Sequence, residues 1–268
     1  MLVTGSFTRA RTVKELGLRQ RRFVTPSSVR HGLAFCPRPS DIIISPYSKC
    51  GTTWRQQIAH GLRTKGDMSF EEITAVVPWI ELADDMGIAL EAPQPGNVRL
   101  FKSHLSWEKV PKSCRYIYII RDPKDMVISA YHFLEGWFFE SGTISLQEFI
   151  SAQYLAAPAA GSYWAHIRSW WPRRRDPNVL FLAYEGMKED LEGTVARVAK
   201  FLGSELDEEE FELIMEQSSF EFMKRHAKQF DDHILRSMRD SECGLPPGGD
   251  SSKVRRGEIG SHVEEITP

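Results

Sequence analysis

The chain is poor in cysteine, nearly balanced in charge and free of long hydrophobic runs, and each of these closes off a class of function. Its four cysteines, Cys36, Cys50, Cys114 and Cys243, stand far apart, with no CxxC pair and no Cys/His cluster at zinc spacing. That pattern argues for a reducing compartment, read here as cytoplasmic, and against a structural metal. The 34 Lys and Arg residues against 36 Asp and Glu give a net charge of -2. No global field therefore draws in nucleic acid or an anionic membrane, and any anion site must be assembled from locally placed cations. No run approaches the roughly 18 apolar residues of a membrane span, and the longest apolar stretches, such as Tyr116 to Ile120, have strand length. No internal repeat is present. The opening stretch sets Arg9, Arg11, Lys14, Arg19, Arg21 and Arg22 against a lone Glu15. It lacks the apolar core of a secretory signal and reads as a basic surface segment.

The chain does hold enough apolar material for one large core: 268 residues, 41% hydrophobic and 11% aromatic. Four short β-branched and aromatic runs, Asp41 to Ser45, Val98 to Lys102, Tyr116 to Ile120 and Val179 to Tyr184, predict buried strands. Helical spacing predicts helices over Thr52 to Leu62, Asp125 to Trp137, Leu146 to Leu155, Ser162 to Trp171, Met187 to Phe201 and Glu208 to Met215. This alternation predicts an α/β fold, a single domain whose mostly parallel central sheet is flanked by helices. Residues 1–40 form an N-terminal segment without an assigned role, and 41–268 form the functional domain. Between Asp240 and Ser252 the cluster of glycine and proline predicts a mobile loop, with basic residues directly after it.

Three segments carry the chemistry. The first strand runs into Ser45-Pro46-Tyr47-Ser48-Lys49-Cys50-Gly51-Thr52-Thr53-Trp54, and a helix follows. Such a turn aims backbone N–H groups and the positive end of a helix dipole at one point, which suits phosphate, and Lys49 adds a full charge. A nucleotide-hydrolase P-loop needs its lysine after the second glycine; here the lysine precedes Gly51, so the cradle is P-loop-like but of different geometry. The second segment, Val98 to Leu105, places Lys102 and His104 on the same side of a strand end. The third, Tyr116 to Tyr131, ends its strand in Arg121, suited to gripping a dianion through paired N–H groups, and puts Ser129 in the following helix. A salt bridge from Arg121 to Asp122 or Asp125 is the plainer alternative.

In this order the segments resemble the cytosolic PAPS-dependent sulfotransferases, where PAPS is 3'-phosphoadenosine-5'-phosphosulfate. The first is similar to that family's P-K-S-G-T-T-W loop, with Ser48 for proline and Cys50 for serine. The second is similar to K-T-H-L, and the third to R-[ND]-P-K-D-x-x-x-S. The resemblance continues through Gly161 to His166, Trp170-Trp171, Val179 to Asp190 and Ser218 to Lys224, and reaches Lys253-Val254-Arg255-Arg256-Gly257. It implies that the loop from Lys49 through Cys50, Gly51, Thr52 and Thr53 to Trp54 holds a phosphosulfate. It implies that His104 is the catalytic base, that Lys49 and Lys102 assist the transferring group, and that Arg121 and Ser129 hold the 3'-phosphate together with Arg255, Arg256 and Gly257. Trp54 and Phe220 are implied to stack the adenine, Tyr184, Ser218 and Met223 to line its pocket, and Ser219 to make a weaker contact.

The implied activity is transfer of a sulfuryl group from PAPS to a hydroxyl or amine of a small-molecule acceptor, leaving 3'-phosphoadenosine-5'-phosphate (PAP), with no metal, nucleic acid or membrane partner. Trp79, Phe133, Trp137, Phe138 and Phe139 are candidates for the acceptor's apolar surroundings. A catalytically inactive PAP-binding protein and a metal-dependent nucleotide kinase are the alternatives. The family's usual C-terminal dimer segment has no counterpart in Gly260 to Pro268, so a monomer, or a dimer of another kind, is expected.

Overall fold

The computed structural model describes residues 7–156 and 161–266, so Thr267 and Pro268 of the closing segment lie outside it. Four strands, β1 (Ile42–Ile44), β2 (Leu100–Lys102), β3 (Arg115–Ile120) and β4 (Val179–Ala183), form one sheet in the order β2-β1-β3-β4, parallel at every pairing. Register sets Ile42 beside both Leu100 and Arg115, and Tyr116 beside Val179. The strands read as unbroken apolar runs because both faces are covered. Ile42, Ile44, Ile117, Ile119 and Leu182 pack with Ile58, Leu62, Val195 and Val198 from helices Thr52–Thr64 and Leu191–Leu202. Ile43, Phe101, Tyr116 and Tyr118 pack on the other face with Phe35, Ile80 and Trp170. A further apolar cluster joins Leu16 of helix Val13–Gln20 to Trp137, Phe138, Phe139 and Leu235.

The structure differs from the expected elements at identifiable points. Tyr184 begins a helix, Tyr184–Glu189, instead of ending a strand. The expected Met187 to Phe201 helix is two helices, because Asp190 leaves helical dihedrals (φ -140°) and caps Leu191–Leu202 by accepting from the Gly193 N–H. The Pro123–Leu134 helix starts ahead of the expected Asp125, with Pro123 in its first turn and Asp122 as its cap. Leu146–Ile150 continues as a π-helical turn through Leu155. Helices Val13–Gln20, Pro26–Ala34, Phe220–Arg225 and His233–Arg239 were not expected, being short segments without long periodicity, the first three capped by Thr12, Thr25 and Ser219. The stretch from Asp240 to Ser252 lacks regular structure, as its composition predicts, but it is seated on the body. Cys243 and Leu245 are buried, and Trp137 Nε1 donates to Asp240 Oδ1 at 2.7 Å.

Candidate active site

All four strands deliver their carboxyl ends to one edge of the sheet, where ligands of such folds collect. After β1, the Ser45 N–H still donates to Ile117 O and the Ser103 N–H to Ile44 O, so the loop leaves from a fixed base. Lys49 (φ 64°) and Gly51 (φ 86°) then take left-handed backbone, curling the loop over the start of helix Thr52–Thr64, which has no side-chain cap. The turn requires glycine at 51 twice over. The dihedral favours it, and a Cβ there would lie 2.7 Å from the Tyr184 ring. The result is a cradle of backbone N–H groups at a helix N-terminus.

Lys49, Lys102, His104, Arg121, Ser129, Arg255, Arg256 and Gly257 line one cavity of about 210 Å³, together with Gly51, Thr52, Thr53, Trp54, Tyr184, Phe220 and Met223. Three sequence candidates stand outside its walls. Cys50 is buried behind the loop against Met126 and Tyr163, and burial pushes its thiol up to about 12. Ser218 contributes its carbonyl, which accepts from Trp54 Nε1 at 2.7 Å, and Ser219 caps the helix Phe220–Arg225. The Ser218 carbonyl and the Ser219 side chain serve the geometry of the cavity from outside it.

His104 is oriented by its neighbours. Its Nδ1 lies 2.8 Å from the Pro46 carbonyl, which can only accept; the neutral ring therefore carries its proton on Nδ1 and leaves a lone pair on Nε2. Its backbone N–H donates to Glu81 Oε1 at 2.7 Å, and its ring meets Trp79 edge to face at 5.1 Å. Desolvation, reinforced by Lys102, holds the imidazole well below its usual value, so it is neutral near pH 7. The segment after it is pinned at the Leu105 carbonyl, which accepts from Ser45 Oγ, His166 Nε2 and Trp170 Nε1. Burial, then Lys253, lowers Lys102 to about 8, and the same causes bring Lys49 well below its ordinary value. Their ammonium groups lie over aromatic rings, Lys49 at 3.7 Å from the centre of Phe133 and Lys102 at 3.8 Å from that of Trp79.

Arg121 makes no salt bridge to Asp122 or Asp125. Its guanidinium lies over the Tyr184 ring at 4.3 Å and donates to the Lys49 and Glu258 carbonyls at 3.1 and 3.3 Å, leaving Nε buried and unpartnered among the described residues. Asp125 has another task. It accepts from the Gly260 N–H at 2.6 Å and from the N–H and Nδ1 of His262 at 3.1 and 2.8 Å, clasping the closing segment so that Arg255 and Arg256 face the same cavity as Arg121. Burial alone would raise Asp125, but these donors outweigh it and hold the carboxyl below its usual range.

The cavity has two kinds of wall. On one side Trp54, Tyr184, Phe220 and Met223 form an aromatic slot, with Lys188 5.9 Å from the Trp54 and Phe220 ring centres. A Cβ on Gly257 would approach the Phe220 ring to 2.6 Å, so this approach too demands glycine. On the other side Phe23, Trp79, Phe133, Trp137 and Leu235 make an apolar chamber next to His104. Beyond Phe133 and Trp137 lies a second cavity of about 280 Å³ that Phe138 helps to line, whereas Phe139 is fully buried core. Sequence reasoning missed Phe23, Glu81, Lys188 and the Asp232–Lys253 pair. Of these Lys253 had a signal in its place directly before the basic run, and Lys188 in lying within the Val179 to Asp190 segment.

A model of the sulfotransferase domain family matches residues 39–268. Human sulfotransferase 2A1 is 34% identical over 200 residues, covering 72% of this chain and 69% of that protein. Sulfotransferase 1B1 of Canis lupus familiaris is 33% identical over 245 residues (87% and 80%), and the amine sulfotransferase of Oryctolagus cuniculus 35% over 239 (86% and 76%). Among solved structures, a retinol dehydratase complexed with retinol and PAP superposes with a TM-score of 0.69 at 23% identity, over 97% of this chain and 91% of that one. A mouse sulfotransferase, SULT7A1, complexed with PAP superposes at 0.67 and 23%, over 92% and 86%. These two structural likenesses bear on the fold.

Proposed function

From the premise that this chain belongs to the sulfotransferase family, we propose that it transfers the sulfuryl group of PAPS to a hydroxyl or amine of a small acceptor, with His104 as general base and Lys49 and Lys102 stabilising the transferring group. One observation carries the reading: a P-loop-like cradle, two lysines, an oriented neutral histidine and three arginines share one cavity. The residues suit the donor. Lys49 and Lys102 can meet the two charges of a phosphosulfate, and Arg121, Arg255 and Arg256 those of a 3'-phosphate, while the Trp54 and Phe220 rings flank a slot for the base. The Thr52 hydroxyl and Arg121 Nε, which are buried and have no hydrogen-bond partner among the described residues, are spare donors on the loop side.

When bound, PAPS supplies a sulfuryl group already attached to a phosphate leaving group. His104 takes the acceptor's proton on Nε2 as the acceptor oxygen or nitrogen bonds to sulfur and the bridging S–O bond breaks, its electron pair going to the phosphate. Lys49 and Lys102 place fixed positive charge at that phosphate and at the sulfuryl oxygens, in an apolar-walled site where such charge counts for more than in water. Phe23, Trp79, Phe133 and Trp137 supply the acceptor's apolar contact.

Incubation with labelled PAPS and a panel of phenols, alcohols, steroids and amines is expected to yield labelled product, unchanged by a chelator. His104→Ala is expected to lower turnover by about 10²–10⁴ while PAP binding persists. Near-normal turnover in that variant would remove the residue from its role, and strict dependence on magnesium would move the assignment to a kinase.

A further inference from the structure

Where the aromatic chamber meets the lysines, its wall carries an ion pair that the transfer chemistry does not use. Lys253 Nζ lies 2.5 Å from Asp232 Oδ1, and the two side chains are only 7% and 4% exposed. Both line the main cavity, next to Leu235 and Ser252. Asp232 is held in left-handed backbone (φ 60°) at the N-cap of helix His233–Arg239, and Ser251, two residues before Lys253, donates through Oγ to the Asp231 carbonyl at 2.9 Å. The pair is thus fixed from both strands of chain that carry it. Among the described residues neither side chain has another hydrogen-bonding partner. Lys253 keeps two N–H donors to offer, and Asp232 keeps Oδ2.

A buried pair with unused donors and acceptors is costly against apolar walls unless something fills them. Charge bookkeeping narrows what that is. With the phosphosulfate's two charges set against Lys49 and Lys102, the pair is internally neutral, and a charged acceptor group beside it would be left desolvated without a counter-ion. A hydroxyl fits both halves at once, donating to Asp232 Oδ2 and accepting from Lys253 Nζ.

We propose that the Asp232–Lys253 pair is an acceptor-recognition element, selecting ring-bearing acceptors that carry a second hydroxyl besides the one that reacts. This rests on the donor reading above, so the test is one of binding to the PAP-loaded protein. Dissociation constants for phenol, catechol, resorcinol and hydroquinone are measured by calorimetry at saturating PAP. At least one of the three diols is expected to bind about tenfold or more tighter than phenol. In Lys253→Met, and separately in Asp232→Asn, whose amide tolerates the left-handed backbone, that ratio is expected to fall toward one. Equal affinities for phenol and all three diols in the wild type, or a preference that survives in both variants, would overturn the inference while leaving the donor reading intact. Failure of the wild type to bind PAP at all would overturn the donor reading and this inference with it.

Discussion

Lys102 and His104 sit in one desolvated corner, and if they take the proposed roles of stabilising cation and base, their charge states set opposite limits on the pH range of the reaction. Desolvation, reinforced by Lys102, holds His104 well below its usual value, so the imidazole is neutral near pH 7, and in the proposed role of base it is expected to put the acid limb of kcat/KM below the usual histidine range. Lys102 is lowered to about 8, so it is a cation below that pH and loses its charge above it. The second-order constant for the donor, which reports the free enzyme, is therefore expected to decline as pH rises through about 8. At saturating donor the limb should move alkaline, because a bound anion favours the charged lysine. Lys102→Arg keeps the charge and should remove the alkaline limb; if the limb stays in place, Lys49 carries it instead.

A second residue is expected to cost the fold stability. Arg55 is fully buried in helix Thr52–Thr64, and none of its three guanidinium nitrogens has a hydrogen-bond partner among the described residues, although the guanidinium lies 5.7 Å from the centre of the Trp54 ring. Burial lowers it well below the usual arginine value. Replacing even a paired set of buried charges by apolar groups of similar volume is often neutral or stabilising, by about 1–4 kcal/mol, and a buried charge without hydrogen-bond partners gives an apolar replacement at least as much to gain. Arg55→Met is expected to raise the urea midpoint at unchanged m-value. A lowered midpoint would mean that the guanidinium has a partner after all.

At the scale of elements, what the sequence made legible follows from where each side chain is carried. Lys49, Lys102, His104 and Arg121 lie on strand ends or the loops directly after them, and a parallel strand aims its carboxyl end at one edge whatever the loops do. Asp232 and Phe23 were not legible. Each reaches the cavity through tertiary contacts: Asp232 through a left-handed turn, and Phe23 because its carbonyl and that of Arg22 are held by Arg239. No local period announces either. The arginine segments test the same logic. Arg121 and Arg255 come from elements far apart in sequence but face one cavity. If both grip one 3'-phosphate, Arg121→Ala and Arg255→Ala should each weaken PAP by about tenfold or more, since a charge-assisted hydrogen bond contributes roughly 1.5–3 kcal/mol. AMP, which lacks that phosphate, should be little affected. Equal losses for the two nucleotides in calorimetry would show that the arginines do not read the 3'-phosphate.

At the scale of the whole molecule, the cavity is where distant parts of the chain are tied together. Arg19 donates to the Gly244 carbonyl at 3.2 Å and Arg239 to the Phe23 carbonyl at 2.9 Å, joining the N-terminal segment to the C-terminal third. Asp125 clasps residues 260–262, and His132 of the same helix lies 2.6 Å through Nε2 from Glu265 Oε2, so the closing segment is fastened to the helix after β3 at both carboxylates. A ligand that bridges the β1 loop, Arg121, Phe220 and Arg255 stabilises all these junctions together, because it binds only when they are assembled. PAP at a hundred times its dissociation constant is worth about 2.7 kcal/mol, which in a domain of this size corresponds to a rise in melting temperature of roughly 5–10 °C. AMP at the same concentration should give less. Asp125→Asn removes the charge that four donors of the closing segment share, the Gly260 and His262 N–H groups, Ser261 Oγ and His262 Nδ1, so Arg255 and Arg256 would be held less firmly before ligand arrives. That variant is expected to melt lower without nucleotide and to gain less from PAP at a fixed concentration, since part of the binding free energy goes into reordering the segment. Thermal melts of both proteins with and without PAP decide the matter. An unchanged PAP-induced shift in Asp125→Asn would mean that the clasp plays no part in presenting the arginines.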